Sequence, residues 1–227
     1  SSRYKLFFAV DGETGLKLVE EKHPDIVISD IMMPGISGID VCRRLKGNPV
    51  TSHIPLILLT AKSGESTKVE GLNIGADAYL SKPFSTELLI ATIENILQSR
   101  KRLKEKFSAI DEIAPSEITR NSIDAQFLDN VISYVEEHVS DPGLDVVKLC
   151  DSLGMSRSAL YRKIKYLTGH SIQEFIRKIR LRKAKLFLVT TDKSVSEVSY
   201  LVGFSNAKNF STSFRKEFEV PPSEFRK

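Results

Sequence analysis

The apolar positions of the first hundred residues fall into short runs of strand character, separated by patterns of helical period. The runs cover 25–30, 54–60 and 78–82, and an earlier apolar run at 4–10 predicts one more strand. Helical segments between strands are typical of parallel strands joined by crossovers. The front of the chain is therefore predicted to be a doubly wound α/β domain.

Beyond residue 123 the apolar positions recur at helical spacing, and one arrangement occurs twice. Gly154 stands at a turn before a helix predicted at 156–167, and Gly203 stands at a turn before one at 206–218. Glycine suits both turns because it adopts positive φ without strain. The inward positions of these second helices are Ala159, Leu160 and Ile164 in one copy and Phe210 and Phe214 in the other. The pattern predicts an all-α domain with two helix-turn-helix motifs.

A helix at 171–190 is predicted to join the two copies. The apolar positions available to its buried face are Ile172, Phe175, Ile176, Ile179 and Leu186. A helix of ~20 residues is ~30 Å long, which is close to the ~34 Å of one turn of DNA. The second helices of the two copies could therefore enter successive major grooves on one side of a duplex.

These patterns divide the chain into an α/β domain at 1–107, a linker at 108–123 and an all-α domain at 124–227. The last helix of the first domain extends toward the linker, with Leu89, Ile93, Ile96, Leu103 and Phe107 spaced by about 3.5 residues. This spacing has two interpretations. The helix either forms a short coiled contact in a homodimer or only covers its own domain.

Charge is distributed unevenly between the two halves. Residues 1–119 hold 15 basic and 16 acidic side chains, whereas 120–227 hold 18 and 13, so the second half is the basic one. The bias is sharpest at 154–185, where only Glu174 is acidic. The basic residues there are Arg157, Arg162, Lys163, Lys165, Arg177, Lys178, Arg180, Arg182, Lys183 and Lys185. A basic band beside a doubled helix-turn-helix indicates attraction to the phosphates of DNA.

Apolar runs and cysteines indicate the cellular compartment in which this chain is expected. No apolar run approaches the ~20 residues of a membrane span, and no signal peptide is recognisable. Cys42 and Cys150 lie in predicted helices of different domains and are expected to fill cores. A reducing, cytoplasmic setting is expected, either for a free protein or for the cytoplasmic part of a membrane-bound sensor.

Three polar residues close the predicted strands: Asp30, Thr60 and Lys82. The carboxyl ends of parallel strands share one edge of a sheet, so these side chains should converge there. A carboxylate can attack phosphorus, while a hydroxyl and an ammonium stabilise the phosphoryl oxygens. Asp30 is the predicted nucleophile, Thr60 the hydrogen-bond donor and Lys82 the counter-charge. The bond from Lys82 to Pro83 is a candidate cis peptide bond.

Residues 4–99 resemble the receiver domain of two-component response regulators. The resemblance rests on the loop at 30–35, Thr60 with Ala61, the segment 75–79 and Lys82 with Pro83 and Phe84. It implies a flavodoxin-like sheet of strand order 2-1-3-4-5 and phosphotransfer from a histidine kinase. It also implies Mg2+ beside Asp30 and an aromatic switch at Tyr79.

The resemblance has one important gap. Receivers begin with a strand that ends in two acidic Mg2+ ligands, whereas this chain opens on what resembles the second strand. The metal is left with Asp30 and the backbone carbonyl of Met32, which is a poor ligand set for a hard cation. The sequence is therefore expected to be a fragment. If it is complete, weak or absent phosphorylation is expected.

DNA contacts are predicted at the exposed positions near the amino ends of the two recognition helices. The predicted base contacts are Arg157, Ser158, Tyr161 and Arg162 in the first helix, and Ala207, Lys208, Asn209 and Thr212 in the second. The predicted phosphate contacts are Lys163, Lys165, Arg215 and Lys216. For Tyr161, a partly packed ring is an equal alternative.

Residues 124–226 resemble the DNA-binding domain of the AraC/XylS transcription regulators. The resemblance rests on Gly203 to Ser205, Asn209 to Ser211, Phe214 to Lys216 and Pro221 to Arg226. Together the two resemblances imply a phosphorylation-controlled, sequence-specific DNA-binding regulator, with activation favoured over repression. Its expected partners are duplex DNA, a histidine kinase, the transcription machinery and a second copy of itself.

Two other classes of function compete with this one. The first is a degenerate receiver that serves as an interaction or dimerisation module and is not phosphorylated. The second is a metabolic enzyme, which is disfavoured because the sequence has no nucleotide loop, metal cluster or nucleophile-base pair outside the aspartyl site.

Overall fold

The computed structural model describes residues 4–61, 74–109, 119 and 121–225, with side chains omitted at 103–109. The chain forms two compact units, Ser1–Leu103 and Lys104–Lys227. Each unit has its own core and is described by itself. Within the described residues, no helix is both long and apolar enough to cross a lipid bilayer.

The first unit contains a parallel sheet flanked by helices. Its helices are α1 (Gly12–Lys22), α2 (Gly38–Gly47) and the greater part of α3 (Thr86–Ala109), which runs past the boundary at Leu103. Its strands are β1 (Val27–Asp30), β2 (Leu56–Ala61) and β3 (Ala78–Lys82). The strand order is β1-β2-β3, with Asp30 paired to Leu59 and Ala61 to Lys82. All three strands therefore end at the same edge of the sheet.

Both faces of this sheet are covered, which confirms the doubly wound arrangement. Leu56 and Leu58 of β2 pack with Val41 and Leu45 of α2 on one face. On the other face, Ile57 packs in a cluster with residues of α3. Since successive side chains of a strand point to opposite faces, the first four residues of β2, at 56–59, are all apolar and pack on both sides of the sheet.

The prediction of a strand at 4–10 is wrong. Residues 5–9 have no regular secondary structure, and Leu6 and Phe8 are 68% and 84% exposed. A strand needs a neighbour for its backbone N–H and C=O groups. Within the described part of the chain, the sheet consists of β1, β2 and β3, and none of these strands pairs with this segment.

Helix α3 covers its own sheet over the part whose side chains are described. Leu89, Ile93 and Ile96 pack in the cluster that contains Ile57 and Leu80. This supports the second interpretation of their spacing, because the same side chains cannot also form a coiled seam. The predicted contacts of Leu103 and Phe107 lie outside the described side chains.

An ion cluster ties α3 to the sheet and to α2. The carboxylate of Asp77 accepts hydrogen bonds from Lys46 at 2.7 Å, from Arg100 at 2.9 Å and from the backbone N–H of Leu56 at 3.0 Å. Burial raises the pKa of Asp77, but the charges of Lys46 and Arg100 outweigh burial and hold the pKa below its usual value. The carboxylate is therefore ionised at neutral pH.

Replacing Asp77 by asparagine should destabilise the first unit by about 2 kcal/mol, because the buried ammonium of Lys46 loses its counter-charge. Since the pKa of Asp77 is lowered in the folded state, its stabilising effect exists above the ordinary carboxyl pKa and disappears as the pH falls through the folded value. Urea unfolding at pH 7 and in acid measures both effects. If the free energies of unfolding of the wild type and D77N differ as much in acid as at pH 7, the stabilising role of the ionised Asp77 is contradicted.

All the regular secondary structure of the second unit is helical over its described residues. Its helices are α4 (Ser122–Glu137), α5 (Val146–Ser152), α6 (Arg157–Thr168), α7 (Ile172–Thr190), α8 (Val195–Leu201) and α9 (Ala207–Phe218). The two predicted helix-turn-helix motifs are α5 with α6 and α8 with α9. Their turn glycines, Gly154 and Gly203, have φ of +60° and +77°. Polar side chains cap the recognition helices, since Ser156 accepts from the N–H of Ala159 and Asn206 from that of Lys208.

The connecting helix α7 packs as predicted in its first half and differently in its second. Ile172, Phe175, Ile176 and Ile179 are buried as expected, but Leu186 is 52% exposed. The second half packs against α8 and α9, and its buried positions there are Leu181, Ala184 and Leu188. Leu186 points away from this core, because α7 packs one face against the first motif and a different face against the second.

Candidate functional site

The strand-end residues of the first unit form one polar group around Asp30. The ammonium of Lys82 donates to Oδ2 of Asp30, and the backbone N–H of Met32 donates to Oδ1 at 3.2 Å. The hydrogen bond from Lys82 holds the pKa of Asp30 below its usual value. The carboxylate is thus charged and partly exposed, as a nucleophile toward phosphorus must be.

The other predicted members of this group lie on the neighbouring strands. Thr60 is next to Leu59, the partner of Asp30 in the sheet, and its hydroxyl donates to the carbonyl of Ala61 at 3.0 Å. Tyr79 is partly buried against the core formed with α1 and α2. The Lys82–Pro83 peptide bond is cis, as predicted. The roles of Thr60 and Tyr79 remain predictions.

The described residues do not form a magnesium site. Both oxygens of Asp30 already accept hydrogen bonds, and Asp11 caps α1 by accepting from the N–H of Thr14 at 2.8 Å. Within residues 4–61, 74–109 and 121–225, no three histidine, cysteine, aspartate or glutamate side chains are grouped as metal ligands. Asp30 with the carbonyl of Met32 gives too few oxygen donors for Mg2+.

The amino ends of the two recognition helices present polar side chains to solvent. In α6, Arg157, Ser158, Arg162 and Lys165 are exposed and Tyr161 is half-buried; in α9, Lys208, Asn209, Thr212, Arg215 and Lys216 are exposed and Ala207 is half-buried. These exposures are compatible with the predicted contacts. Arg162 makes no hydrogen bond or ion pair within the described residues, so its guanidinium is available to a ligand.

Lys163 is the exception, and its predicted contact with a DNA phosphate is wrong. Its side chain is 0% exposed, and its ammonium lies 2.7 Å from the Asp124 carboxylate and 4.6 Å from the centre of the Phe127 ring. Burial lowers the pKa of Lys163, although the charge of Asp124 opposes this. The helical period could have predicted this burial, because positions 160, 163, 164 and 167 lie on one side of α6.

The basic band at 154–185 is not one surface. Arg180 donates to the backbone carbonyls of Gly203 and Asp141, and so joins α7 to the second turn. Lys178 forms an ion pair with Glu217, and Lys185 lies 5.4 Å from the centre of the Phe218 ring. Several of these charges therefore hold the unit together, whereas Arg162 and Lys165 remain on the exposed side of α6.

Comparison with known families supports both halves of this description. A model of the response regulator receiver domain matches residues 1–94, and a model of a helix-turn-helix domain matches residues 149–227.

Individual relatives match the chain over different lengths. Histidine kinase P4 of Formosa agariphila is 42% identical over 98% of this chain and 16% of its own length. The phosphate regulon transcriptional regulatory protein PhoB of Rhizobium meliloti is 48% identical over 37% of this chain and 37% of its own length. The chain thus spans well under two thirds of either relative.

A solved structure from Chromobacterium violaceum, a transcriptional regulator with an AraC-type DNA-binding domain, is also similar. It shares 28% identity over 44% of this chain and 89% of its own, with a TM-score of 0.42.

Proposed function

Since this chain joins a response regulator receiver domain to a helix-turn-helix domain of the AraC type, we propose that it is a sequence-specific transcription regulator whose DNA binding is controlled by phosphorylation of Asp30. The resemblance to AraC/XylS regulators supports activation, and with it contact with the transcription machinery. A homodimer remains a prediction. Analytical ultracentrifugation of the full chain at several concentrations measures the oligomeric state by sedimentation.

The observation that carries DNA binding is the pairing of two capped recognition helices on one connecting helix. The 19 residues of α7 span about 28 Å, which approaches the rise of one DNA turn. Arg162 in α6 and Asn209 in α9 are exposed. The two guanidinium donors of an arginine match the acceptors of guanine, and the amide of an asparagine, with one donor and one acceptor, matches adenine. The two motifs would therefore read two half-sites in successive major grooves.

Replacing Arg162 by alanine should weaken binding to the preferred site by about 1–3 kcal/mol and relax the preference at one base pair, because a bidentate contact to guanine is lost. Electrophoretic mobility shift with DNA selected from a random pool measures both effects. Arg215→Ala is the matched control, since a phosphate contact should affect all sequences equally and reduce the salt dependence. A uniform loss for R162A would make Arg162 a phosphate contact instead.

For the receiver half, the proposed chemistry is transfer of a phosphoryl group to Asp30. An oxygen of the carboxylate attacks phosphorus, the bond from phosphorus to the histidine nitrogen of the donor breaks, and that nitrogen keeps the electron pair. Lys82 would move from the carboxylate to the new phosphoryl oxygens, and Thr60 would turn its hydroxyl toward them. A histidine kinase is the proposed donor, and the name of the Formosa relative supports a hybrid protein that holds both.

Intact mass spectrometry after incubation with an acyl phosphate tests this transfer. We expect slow addition of one phosphoryl group to the wild type, because the described residues around Asp30 offer too few oxygen donors for Mg2+, and none to Asp30→Asn. Lys82→Ala should react more slowly still, because the counter-charge is lost. Phosphorylation of the asparagine variant at the same rate would place the modification elsewhere.

A second candidate function is a receiver that controls the DNA-binding half through protein contacts alone. The observation in its favour is the small set of oxygen donors around Asp30 among the described residues. The same mass measurement separates the two candidates. The second candidate predicts that no phosphoryl group is added and that incubation with the acyl phosphate leaves the affinity for DNA unchanged.

A further inference from the structure

A hydrogen-bonded group at the exposed end of α6 has no counterpart in α9. The hydroxyl of Tyr161 accepts from Nε and Nη2 of Arg157 at 3.3 and 3.2 Å, and from Nε2 of Gln173 at 3.2 Å. The guanidinium of Arg157 also lies 5.5 Å from the centre of the Tyr161 ring. Gln173 belongs to the connecting helix α7, so the group joins the recognition helix to the helix behind it.

The proton of the Tyr161 hydroxyl is left over in this arrangement. The nitrogen atoms that contact the oxygen are all donors, and a guanidinium has no acceptor atom. Tyr161 is half-buried, and the exposed Arg157 lies one turn before it on the same side of α6. Since no acceptor atom of the described residues contacts the hydroxyl, its proton is available to an acceptor outside the protein.

We propose that Tyr161, held by Gln173 and Arg157, acts as a fixed hydrogen-bond donor to an acceptor atom of the bound duplex and orients Arg157 beside it. This inference rests on the proposed DNA binding and adds the chemistry of one subsite. Arg157, Tyr161 and Gln173 then work as one reading group. Gln173 is its positioning residue, because it contacts Tyr161 and belongs to another helix. The acceptor is either a base edge, such as purine N7, or a phosphate oxygen.

A double-mutant cycle on the full chain tests the group, with DNA selected by the wild type from a random pool as the probe. Tyr161→Phe removes only the hydroxyl and should lower affinity about ten-fold, as expected for one hydrogen bond near 1.4 kcal/mol. Gln173→Ala should change base preference at the position affected by Arg157→Ala. Tyr161→Phe should cost much less in the Arg157→Ala background than alone.

Tyr134→Phe is the matched control. The hydroxyl of Tyr134 donates to the backbone carbonyl of Asp145 at 3.4 Å, so its loss affects packing within the unit. We expect a lower unfolding midpoint for Y134F with an unchanged base preference. A structural role for Tyr161 would give that same result, whereas the proposed role changes the base preference.

Modified DNA distinguishes the two sources of the acceptor. Deazapurines that lack N7 test the base edge, and single methylphosphonates test the phosphate oxygens. One of these changes should weaken the wild type at a single position and leave Tyr161→Phe unaffected. If Y161F selects the same DNA with the same affinity as the wild type, or if its effect adds fully to that of R157A, this inference is overturned while DNA binding stands. If the wild type selects no DNA, both fail.

Discussion

Replacing Lys163 by alanine should destabilise the helical unit by about 3–5 kcal/mol, which is a large part of the stability of a small domain. The substitution leaves the Asp124 carboxylate buried without the ammonium that lies 2.7 Å away. It also removes the alkyl chain from a position with no exposed surface. Chemical denaturation of the full chain, followed by circular dichroism, measures the change.

Two control variants separate charge from packing at this position. The double variant K163M/D124L removes both charges and keeps apolar volume, so its stability should be close to that of the wild type. Lys165→Ala changes an exposed lysine two residues further on and should alter stability by less than about 1 kcal/mol while weakening DNA binding. If K163A unfolds like the wild type and only loses DNA affinity, Lys163 is a phosphate contact after all.

The two turn glycines should respond very differently to alanine. At Gly154 the φ of +60° disfavours a side chain, but no described atom beyond the adjoining residues lies within 4 Å of the added Cβ, so we expect a loss of about 1–2 kcal/mol. At Gly203 the same penalty applies and the new carbon would also overlap the backbone carbonyl of Val139 and lie 2.8 Å from Cζ of Arg180. The loss there should be about 4 kcal/mol or more.

Thermal and chemical unfolding of G154A and G203A gives this comparison directly, since each variant controls for the other. A backbone oxygen cannot move aside as a flexible side chain can, and Arg180 is held by the carbonyls of Gly203 and Asp141. Equal losses at the two glycines would show that the second turn is not packed as closely as described.

Much of this fold could be predicted because it follows from short-range pattern. The strand ends at Asp30 and Lys82 and the helix starts after Ser156 and Asn206 are set by apolar period and capping residues, which act locally. The segment at 4–10 could not be predicted in the same way. A strand exists only with a partner, and pairing depends on residues far away in sequence.

The errors at Lys163 and Leu186 have a different physical origin. A lysine is usually exposed, so its charge favoured the surface for Lys163, whereas the helical period placed the residue on the buried side of α6. Its burial is possible because the carboxylate of Asp124 pairs with the ammonium. That partner lies 39 residues earlier, in a helix whose position the local pattern does not reveal. Leu186 is exposed because α7 packs different sides against the two motifs, which depends on tertiary structure.

The central claim is that two recognition helices on one connecting helix read successive major grooves. Hydroxyl-radical footprinting of the full chain on its selected DNA tests it most directly. We predict two protected segments about ten base pairs apart on the same side of the duplex, with one lost in R162A and the other in Asn209→Ala. A single protected segment, or two segments on opposite sides of the duplex, would contradict the claim.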